Sequence, residues 1–396
     1  MTEPQAAMEK RDLVQPIVAG TLAAAVGYAS TFTLVLAALS AAGATPQQAG
    51  SGLFAVCLAM AVLNIVVAAR VRVPISFAWS TPGAAFLLTL AAPPEGGFAA
   101  VAGAFLVTAL LIVLTGLIKP LARAVAAIPQ ALANAMLAGI LLTLCLAPIK
   151  AVSEVPTLAL PILVAWMLGF AFARRYAVPI AVLVTIVVLA TTTHLPPGAL
   201  DGAWPSLVPV MPTFSLDAII RISLPLYVVT MASQNLPGIA VMKANDFPIQ
   251  PAPIFVITGM ASGIIGFFGG IPANLAAITA AICAGPEAHP DRNKRWPAPI
   301  AAGVAYGILA PAASLAAAFV AAAPPILIQA VAGLALLSSL ASSLAAALAN
   351  EEQRLPAILT FVATASGITI MGIGAPFWGL VGGIVLLLML RWAPRP

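Results

Sequence analysis

The 396-residue chain is 62% hydrophobic and only 7% charged, whereas a typical soluble domain is about a quarter charged. A soluble fold of this length cannot hide so much apolar surface in one core, so lipid must cover much of the molecule. The net charge of +5 arises from 17 Lys and Arg residues scattered in small groups, which argues against nucleic-acid binding.

Metal and redox chemistry find little support. Cys57, Cys145 and Cys283 lie in apolar stretches without metal-ligand spacing, and such residues behave as small buried hydrophobes. We therefore expect no metal site, no cofactor and no disulfide framework. The polar segment 1–12 is not followed by a short apolar core with a cleavage site, so no cleaved signal peptide is predicted.

Apolar runs of membrane-spanning length recur along the chain. A helix needs about 20 apolar residues to cross the hydrocarbon, and twelve such runs are separated by charges, Pro or Gly. In chain order they cover about 14–42, 48–69, 98–118, 128–148, 158–175, 178–195, 216–244, 252–268, 298–320, 325–349, 355–372 and 374–392.

Two further apolar segments, 74–91 and 270–284, are interrupted by Pro and Gly. Each begins with a stretch unsuited to a helix and continues as a short run rich in Ala and Leu, which predicts a half-crossing with an extended part. The alternative is an ordinary helix kinked by proline. The matching positions of the two segments, third in each half of the chain, favour half-crossings.

The distribution of Lys and Arg supports fourteen crossings. With the N-terminus inside, only Lys150 and Arg221 of the 17 basic residues fall outside the cytoplasm, as the positive-inside rule requires. Omitting either interrupted segment would invert every later loop. Residues 196–215 form an extracytoplasmic linker between two sets of seven crossings, 1–195 and 216–396. Because seven is odd, the second set is inverted relative to the first, so we predict an all-α membrane protein built as a 7+7 inverted repeat.

The interrupted crossings contain residues that favour helix starts near the middle of the membrane. Thr81 is a good N-cap before Pro82, and Asn274 precedes the second short helix. A helix N-terminus carries about half a positive charge and attracts anions. The alternative is that Thr81 and Asn274 only satisfy backbone groups.

The eighth crossing holds the densest polar cluster of any span, residues 230–238. On a regular helix Tyr227, Met231, Gln234 and Asn235 fall broadly on one face, and Pro237 predicts a bend beside the amides. Polar side chains at this depth usually face a cavity or the bundle interior. Hydrogen bonding between helices is the competing explanation.

Aromatic residues in the first half could enclose an aromatic ring. Tyr28 interrupts the first crossing, and Phe77 and Trp79 point to one side of the extended part of the third. Packing or anchoring at the membrane interface would explain them equally. The candidate substrate-binding residues are Tyr28, Phe77, Trp79, Ser80, Thr81, Tyr227, Met231, Gln234, Asn235 and Asn274.

Two strings, YVVTMASQNLPGIAV at 227–241 and NLAAITAAICAGPEAHPD at 274–291, closely resemble the BenE family of bacterial benzoate/proton symporters. That family resembles the uracil-permease and anion-exchanger superfamily. The resemblance implies a core domain (14–118 and 216–320), a gate domain (128–195 and 325–392), and substrate between the third and tenth crossings. It also implies a multi-pass protein of the bacterial inner membrane with both termini cytoplasmic, and a possible homodimer.

Two differences from the pattern of related proteins bear on the expected proton coupling and substrate. Where many relatives place a His, this chain has 271–273, Ile-Pro-Ala, so the protonatable group is missing there. Nucleobase permeases of the superfamily carry an acid in the eighth crossing, whereas 222–242 has none; an anion fits better than a nucleobase.

The resemblance implies import of benzoate or a similar aromatic carboxylate with protons, by an elevator-like movement of core against gate. The alternatives are proton-independent exchange or uniport of another anion, and a receptor or structural protein that uses the fold only for binding. Nothing in the sequence indicates an enzyme.

Overall fold

The structure, a computed structural model, describes residues 10–90, 92–192, 204–370 and 373–392. The predicted linker 196–215 is described from residue 204 onward. Its first part and both ends of the chain lie outside the described residues, so the cytoplasmic location of the termini stays a prediction.

The first half of the chain is helical apart from one short strand. Its elements are α1 (Lys10–Ala41), α2 (Pro46–Val71), β1 (Phe77–Trp79), α3 (Thr81–Leu87), α4 (Gly97–Leu117), α5 (Lys119–Ala126), α6 (Gln130–Cys145), α7 (Ala147–Glu154), α8 (Pro156–Phe172) and α9 (Ala177–Thr192).

The second half repeats the pattern of long helices interrupted by one strand and a short helix. Its elements are α10 (Leu216–Ala244), α11 (Pro251–Gly266), β2 (Ala273–Leu275), α12 (Ala277–Ala284), α13 (Pro297–Leu309), α14 (Ala312–Ala322), α15 (Pro325–Leu348), α16 (Arg354–Ala365), β3 (Thr369–Ile370), β4 (Ile373–Gly374) and α17 (Ala375–Trp392).

Proline and short polar side chains set many of the helix starts. Helix α2 begins with a capping box in which Thr45 and Gln48 bond each other's backbone N–H groups. Pro46, Pro251 and Pro325 open α2, α11 and α15. A proline at this position loses nothing, because the first N–H groups of a helix have no intrahelical partner.

Among the described residues, seven helices are long and apolar enough to cross a membrane, and the bent pair α13–α14 makes an eighth. Helices α8, α9 and α11 are apolar but shorter. The described elements account for each of the fourteen predicted segments, but the count of fourteen crossings stays a prediction.

Three boundaries differ from the sequence expectation. The run 298–320 is not one straight helix but bends by 59° between α13 and α14, because Pro311 removes a backbone donor at the break. The run 355–372 is helical only to Ala365 and is followed by strand β3, which pairs antiparallel with β4. Between the fourth and fifth predicted crossings lies the short amphipathic helix α5, with Lys119 and Arg123 in its sequence.

Both interrupted crossings have the expected form, a strand followed by a short helix. What sequence could not provide is their relation: β1 and β2 pair antiparallel, with Phe77 opposite Leu275 and Trp79 opposite Ala273. Backbone bonds from Ser80 N to Pro272 O and from Ala276 N to Ser76 O, both 3.0 Å, extend the ladder. The two halves of the chain therefore share one small sheet inside the helical bundle.

Helices from the two halves also pack in pairs around this sheet. Helix α11 runs along α4, and α13 packs on both α1 and α2; elsewhere α15 and α16 pack on α6. The described part of the linker is bonded to α4 and to the residue that follows α11. Val210 N donates to Phe267 O at 2.8 Å, and Thr213 N donates to Ala99 O at 3.0 Å.

Candidate functional site

Two polar side chains hold the outer edges of the strand pair. Asn64 in α2 accepts from Phe77 N at 2.9 Å and donates to Phe77 O at 3.0 Å. On the other side, Ser262 in α11 accepts from Ala273 N at 2.9 Å. These bonds satisfy strand backbone groups that would otherwise be unpaired away from water, so the sheet is fixed on both edges.

The N-cap of helix α3 lies one residue earlier than the sequence predicted. Ser80, not Thr81, is the N-cap, and its Oγ accepts from Gly83 N at 3.1 Å and lies 2.8 Å from Thr230 Oγ1. Thr81 is the first helical residue and Pro82 the second. Ser80 therefore ties the start of α3 to α10.

Helix α12 begins without a side-chain cap. The expectation that Asn274 caps it is wrong, because Asn274 lies in β2 opposite Ala78. When its amide is oriented to match its neighbours, Oδ1 accepts from Ser80 N at 3.2 Å. The N-cap is Ala276, whose methyl group cannot bond a backbone N–H. The first-turn N–H groups of α12 are thus open to another acceptor.

Helix α10 passes close to β2 and departs from α-helical geometry at two turns. It contains two π-helical turns, Ile219–Ser223 and Met231–Asn235, and π-turns occur frequently at functional sites. Asn235 Oδ1 accepts from Leu275 N at 3.0 Å. A Cβ added to Gly238 would lie 2.7 Å from Leu275 Cβ, so glycine is needed for this approach.

The residues of the predicted face of α10 have different neighbours, although Asn235 Nδ2 donates to Met231 Sδ at 3.2 Å. Tyr227 and Met231 lie in an apolar cluster with Ile112 and Phe255, and the Tyr227 hydroxyl bonds Thr115 Oγ1. Asn235 and Gln234 lie in the second π-turn. Asn235 is completely buried. Gln234 is only partly buried, and its side-chain amide has no hydrogen-bond partner among the described residues.

Two of the predicted aromatic residues, Tyr28 and Trp79, contact each other and Tyr306 of the second half. Trp79 contacts the edges of Tyr28 and Tyr306, with ring centroids 6.1 and 5.5 Å apart, and its Nε1 donates to Thr31 Oγ1 at 3.0 Å. Tyr28 stacks on Phe32 at 5.4 Å. Phe77 is fully buried but makes no ring contact with these residues.

Five buried side-chain oxygens of the described residues have no hydrogen-bond partner, those of Thr33 and Thr364 among them. Tyr28 Oη, Ser76 Oγ and Ser233 Oγ are buried without a hydrogen-bond partner among the described residues. They belong to α1, the residue before β1, and the second π-turn of α10. Orphaned groups in a folded protein require an explanation, and a ligand or water between these elements would provide one.

The far end of α12 is bound by a buried arginine. Arg295 is 8% exposed, and it is the sole charged residue among the buried residues of the described chain. Its guanidinium donates to the carbonyls of Ala284, His289 and Pro290 at 2.7, 2.7 and 3.2 Å. A cation at a helix C-terminus is favourable. Next to it, Lys294 Nζ donates to Asp12 at 2.8 Å, which fixes the loop to α1.

Two cavities lie near the ends of α3 and α12, and neither is lined by the predicted site residues. A cleft of about 1150 Å³ is lined by Ile282 of α12 together with residues of α8 and the turn before α9. A second cavity of about 270 Å³ is lined by Leu88 and Thr89 after α3, and by residues of α6, α15 and α17. Helices α3 and α12 thus run from the sheet toward different cavities.

Several residues that shape the site escaped the sequence reasoning. Asn64 was signalled only by being an amide within an apolar crossing, and Arg295 only by the charge of its loop. Nothing in the sequence pointed to Tyr306 or Ser262 in particular. Their importance depends on partners more than ten residues away, such as Trp79 for Tyr306 and Ala273 for Ser262.

Apolar helices packed around two broken segments whose strands pair are typical of a membrane transport protein. Residues 12–389 match the family model described as "Benzoate membrane transport protein". The chain belongs to this BenE family, and the expected resemblance is confirmed.

Two relatives match nearly the whole chain, and a solved structure shares its fold. The chain is 41% identical over 377 residues to "Inner membrane protein YdcO" of Escherichia coli, covering 95% of both chains. It is 31% identical over 373 residues to "Benzoate membrane transport protein" of Acinetobacter baylyi, covering 94% of both. The transmembrane domain of a cyanobacterial bicarbonate transporter, BicA, shares the fold with a TM-score of 0.60 at 14% identity, covering 95% of this chain and 98% of that one.

Proposed function

We propose that the protein imports benzoate or a similar aromatic carboxylate together with protons, and that the anion binds where α3 and α12 begin. The observation that carries this proposal is the uncapped start of α12 at the β1–β2 sheet. An anion is the acceptor that such a helix end favours.

Backbone donors supply the positive side of the proposed site. Ala276 N is used by Ser76 O, so the open donors of α12 begin at Ala277. In α3, Pro82 has no N–H and the Gly83 N–H is used by Ser80. Thr81 N–H is therefore the donor that α3 can offer. In this proposal the backbone N–H groups and the helix dipole take the place of a full cation.

Side chains would complete the site with neutral polar groups and aromatic edges. Gln234 has an amide without a described partner, and Ser233 has an unpaired hydroxyl. Trp79 and Tyr28 would border the ring. We assign a supporting role to the residues whose polar atoms bond the strands or whose side chains pack in apolar clusters. These are Phe77, Ser80, Tyr227, Met231, Asn235 and Asn274.

Alternating access would follow from movement of a core (14–118 and 216–320) against a gate (128–195 and 325–392). The pairing of α4 with α11 and of α6 with α15 supports this division. The sheet links the two broken crossings by backbone bonds, so both would move together. The two cavities would then give access from opposite sides. We also propose that both termini lie in the cytoplasm. We expect that the protein can form a homodimer.

One observation favours the alternative, an anion exchanger or uniporter without proton coupling. The buried residues of the described chain include no Asp, Glu or His. They therefore offer no carboxyl or imidazole group that could carry a proton. Uptake of labelled benzoate into proteoliposomes, with and without an imposed pH gradient, separates the two functions.

We expect uptake driven by an inward proton gradient, reduced in Gln234→Ala but not in Gln47→Ala, a matched change at an exposed amide. Benzoate uptake that ignores the gradient would favour the alternative. Absence of any benzoate uptake, with the protein folded, would refute the substrate assignment.

A further inference from the structure

The cleft between α12 and the α8–α9 connection contains aromatic and charged side chains that the proposed central site does not use. Trp166, Phe170 and Arg174 follow one another at four-residue spacing along α8 and the turn after it. The Trp166 and Phe170 rings stack with centroids 5.1 Å apart, and the Arg174 guanidinium lies 4.7 Å from the Phe170 centroid. They form a continuous column, and all three line the cleft.

This aromatic–arginine column offers both groups that an aromatic carboxylate needs. A guanidinium that stacks on a ring through its face keeps its N–H edge available for bidentate bonding to a carboxylate. Arg174 forms no ion pair with any residue in the described part of the chain. The neighbouring rings provide surface against which a second aromatic ring can pack.

The position of the column connects it to the central site. Ile282, near the end of α12, lines the same cleft, and α12 has eight residues, so its two ends are about 12 Å apart. Glu287 also lines the cleft, and its negative charge would repel the carboxylate of the substrate. An anion in the cleft is therefore expected at Arg174.

We propose that Arg174, Phe170 and Trp166 form a second subsite for the aromatic carboxylate, on the predicted cytoplasmic side, which holds the anion between the central site and bulk water. The subsite rests on the proposed function, because it takes the same substrate class.

Equilibrium binding of labelled benzoate to the purified full-length protein tests the subsite. We expect two classes of site in the wild type. Arg174→Gln should weaken one class by about tenfold or more, the effect of losing a hydrogen bond to a charged group, and Arg174→Lys should retain part of it. Arg123→Gln, which removes a positive charge from exposed α5 outside the cleft, should leave both classes unchanged.

The outcomes separate failure of the subsite from failure of the proposed function. A class sensitive to Gln234→Ala together with no effect of Arg174→Gln would overturn the subsite alone. Absence of benzoate binding in every form of the protein would overturn both. Competition tests the role of the rings: acetate should displace benzoate from the Arg174-dependent class at least tenfold less well than a ring-substituted benzoate. Equal displacement would overturn the aromatic part of the proposal.

Discussion

A negative charge introduced at the start of α12 should abolish substrate binding while keeping the helix. Ala276 has the extended backbone of an N-cap, with φ −92° and ψ 111°. Asp is a favoured N-cap, so Ala276→Asp supplies the missing acceptor. Its carboxylate would occupy the place proposed for the carboxylate of the substrate.

The size of the effect follows from the separation of the two charges. At an effective dielectric of about 20, two like charges about 4 Å apart repel by about 4 kcal/mol, which weakens binding by nearly a thousandfold. Ala276→Asn is the matched control, because Asn has nearly the same shape and also caps helices but carries no charge. Ala276 is only 3% exposed, so both variants face the same crowding.

The assay is benzoate affinity of the purified variants, with thermal unfolding measured in parallel. We expect Ala276→Asn to weaken binding by about tenfold, since it uses one or two of the open donors, and Ala276→Asp to weaken it far more at a similar unfolding temperature. If the two variants bind benzoate with affinities within a factor of about three, the anion does not bind at this helix end.

The remaining predictions concern the framework of the site. Gln234→Ala and Asn235→Ala should both reduce benzoate uptake at normal membrane insertion, but only Asn235→Ala should also lower thermal stability, by about 1–3 kcal/mol, because it leaves Leu275 N unpaired; equal melting temperatures would contradict this. Ser80→Ala should destabilise the protein by about 0.5–2 kcal/mol through loss of the α3 cap, as read from denaturation, and an unchanged midpoint would count against that cap. Arg295→Lys cannot reproduce three guanidinium bonds to carbonyls and should cost on the order of 2 kcal/mol in the same assay; wild-type stability would show that the carbonyls are satisfied without it.

The strand and short helix of each interrupted segment could be predicted because Pro and Gly interrupt apolar runs at matching positions; that both segments cross the membrane stays a prediction from the positive-inside rule. The N-cap residues of the two short helices, α3 and α12, could not be predicted. Ser80 and Thr81 are both good capping residues, and a proline is tolerated at either of the first two helical positions, so local preference leaves the register open. At Asn274 strand pairing overrides capping preference.

Long-range relations were beyond the sequence for a different reason. The directions of the side chains from Tyr227 to Asn235 on α10 were predicted with a regular helical period, whereas the π-turn Met231–Asn235 shifts them. The bond from Leu275 N to Asn235 depends on how two distant segments approach. Composition identified Asn235 as unusual for a membrane helix, but only the fold identifies its partner.

The pairing of β1 with β2 has a consequence for biosynthesis. Strand β1 pairs with a strand about 200 residues later in the chain, and ribosomes add roughly 5–20 residues per second. For about 10 s or more, the first broken crossing must therefore reside at the membrane with one strand edge unpaired, an arrangement that lipid does not tolerate. We expect the translocon or a chaperone to shelter residues 74–91 until β2 arrives. A nascent chain arrested near residue 215 should then remain crosslinkable to the insertion machinery through this segment, whereas the completed chain should not.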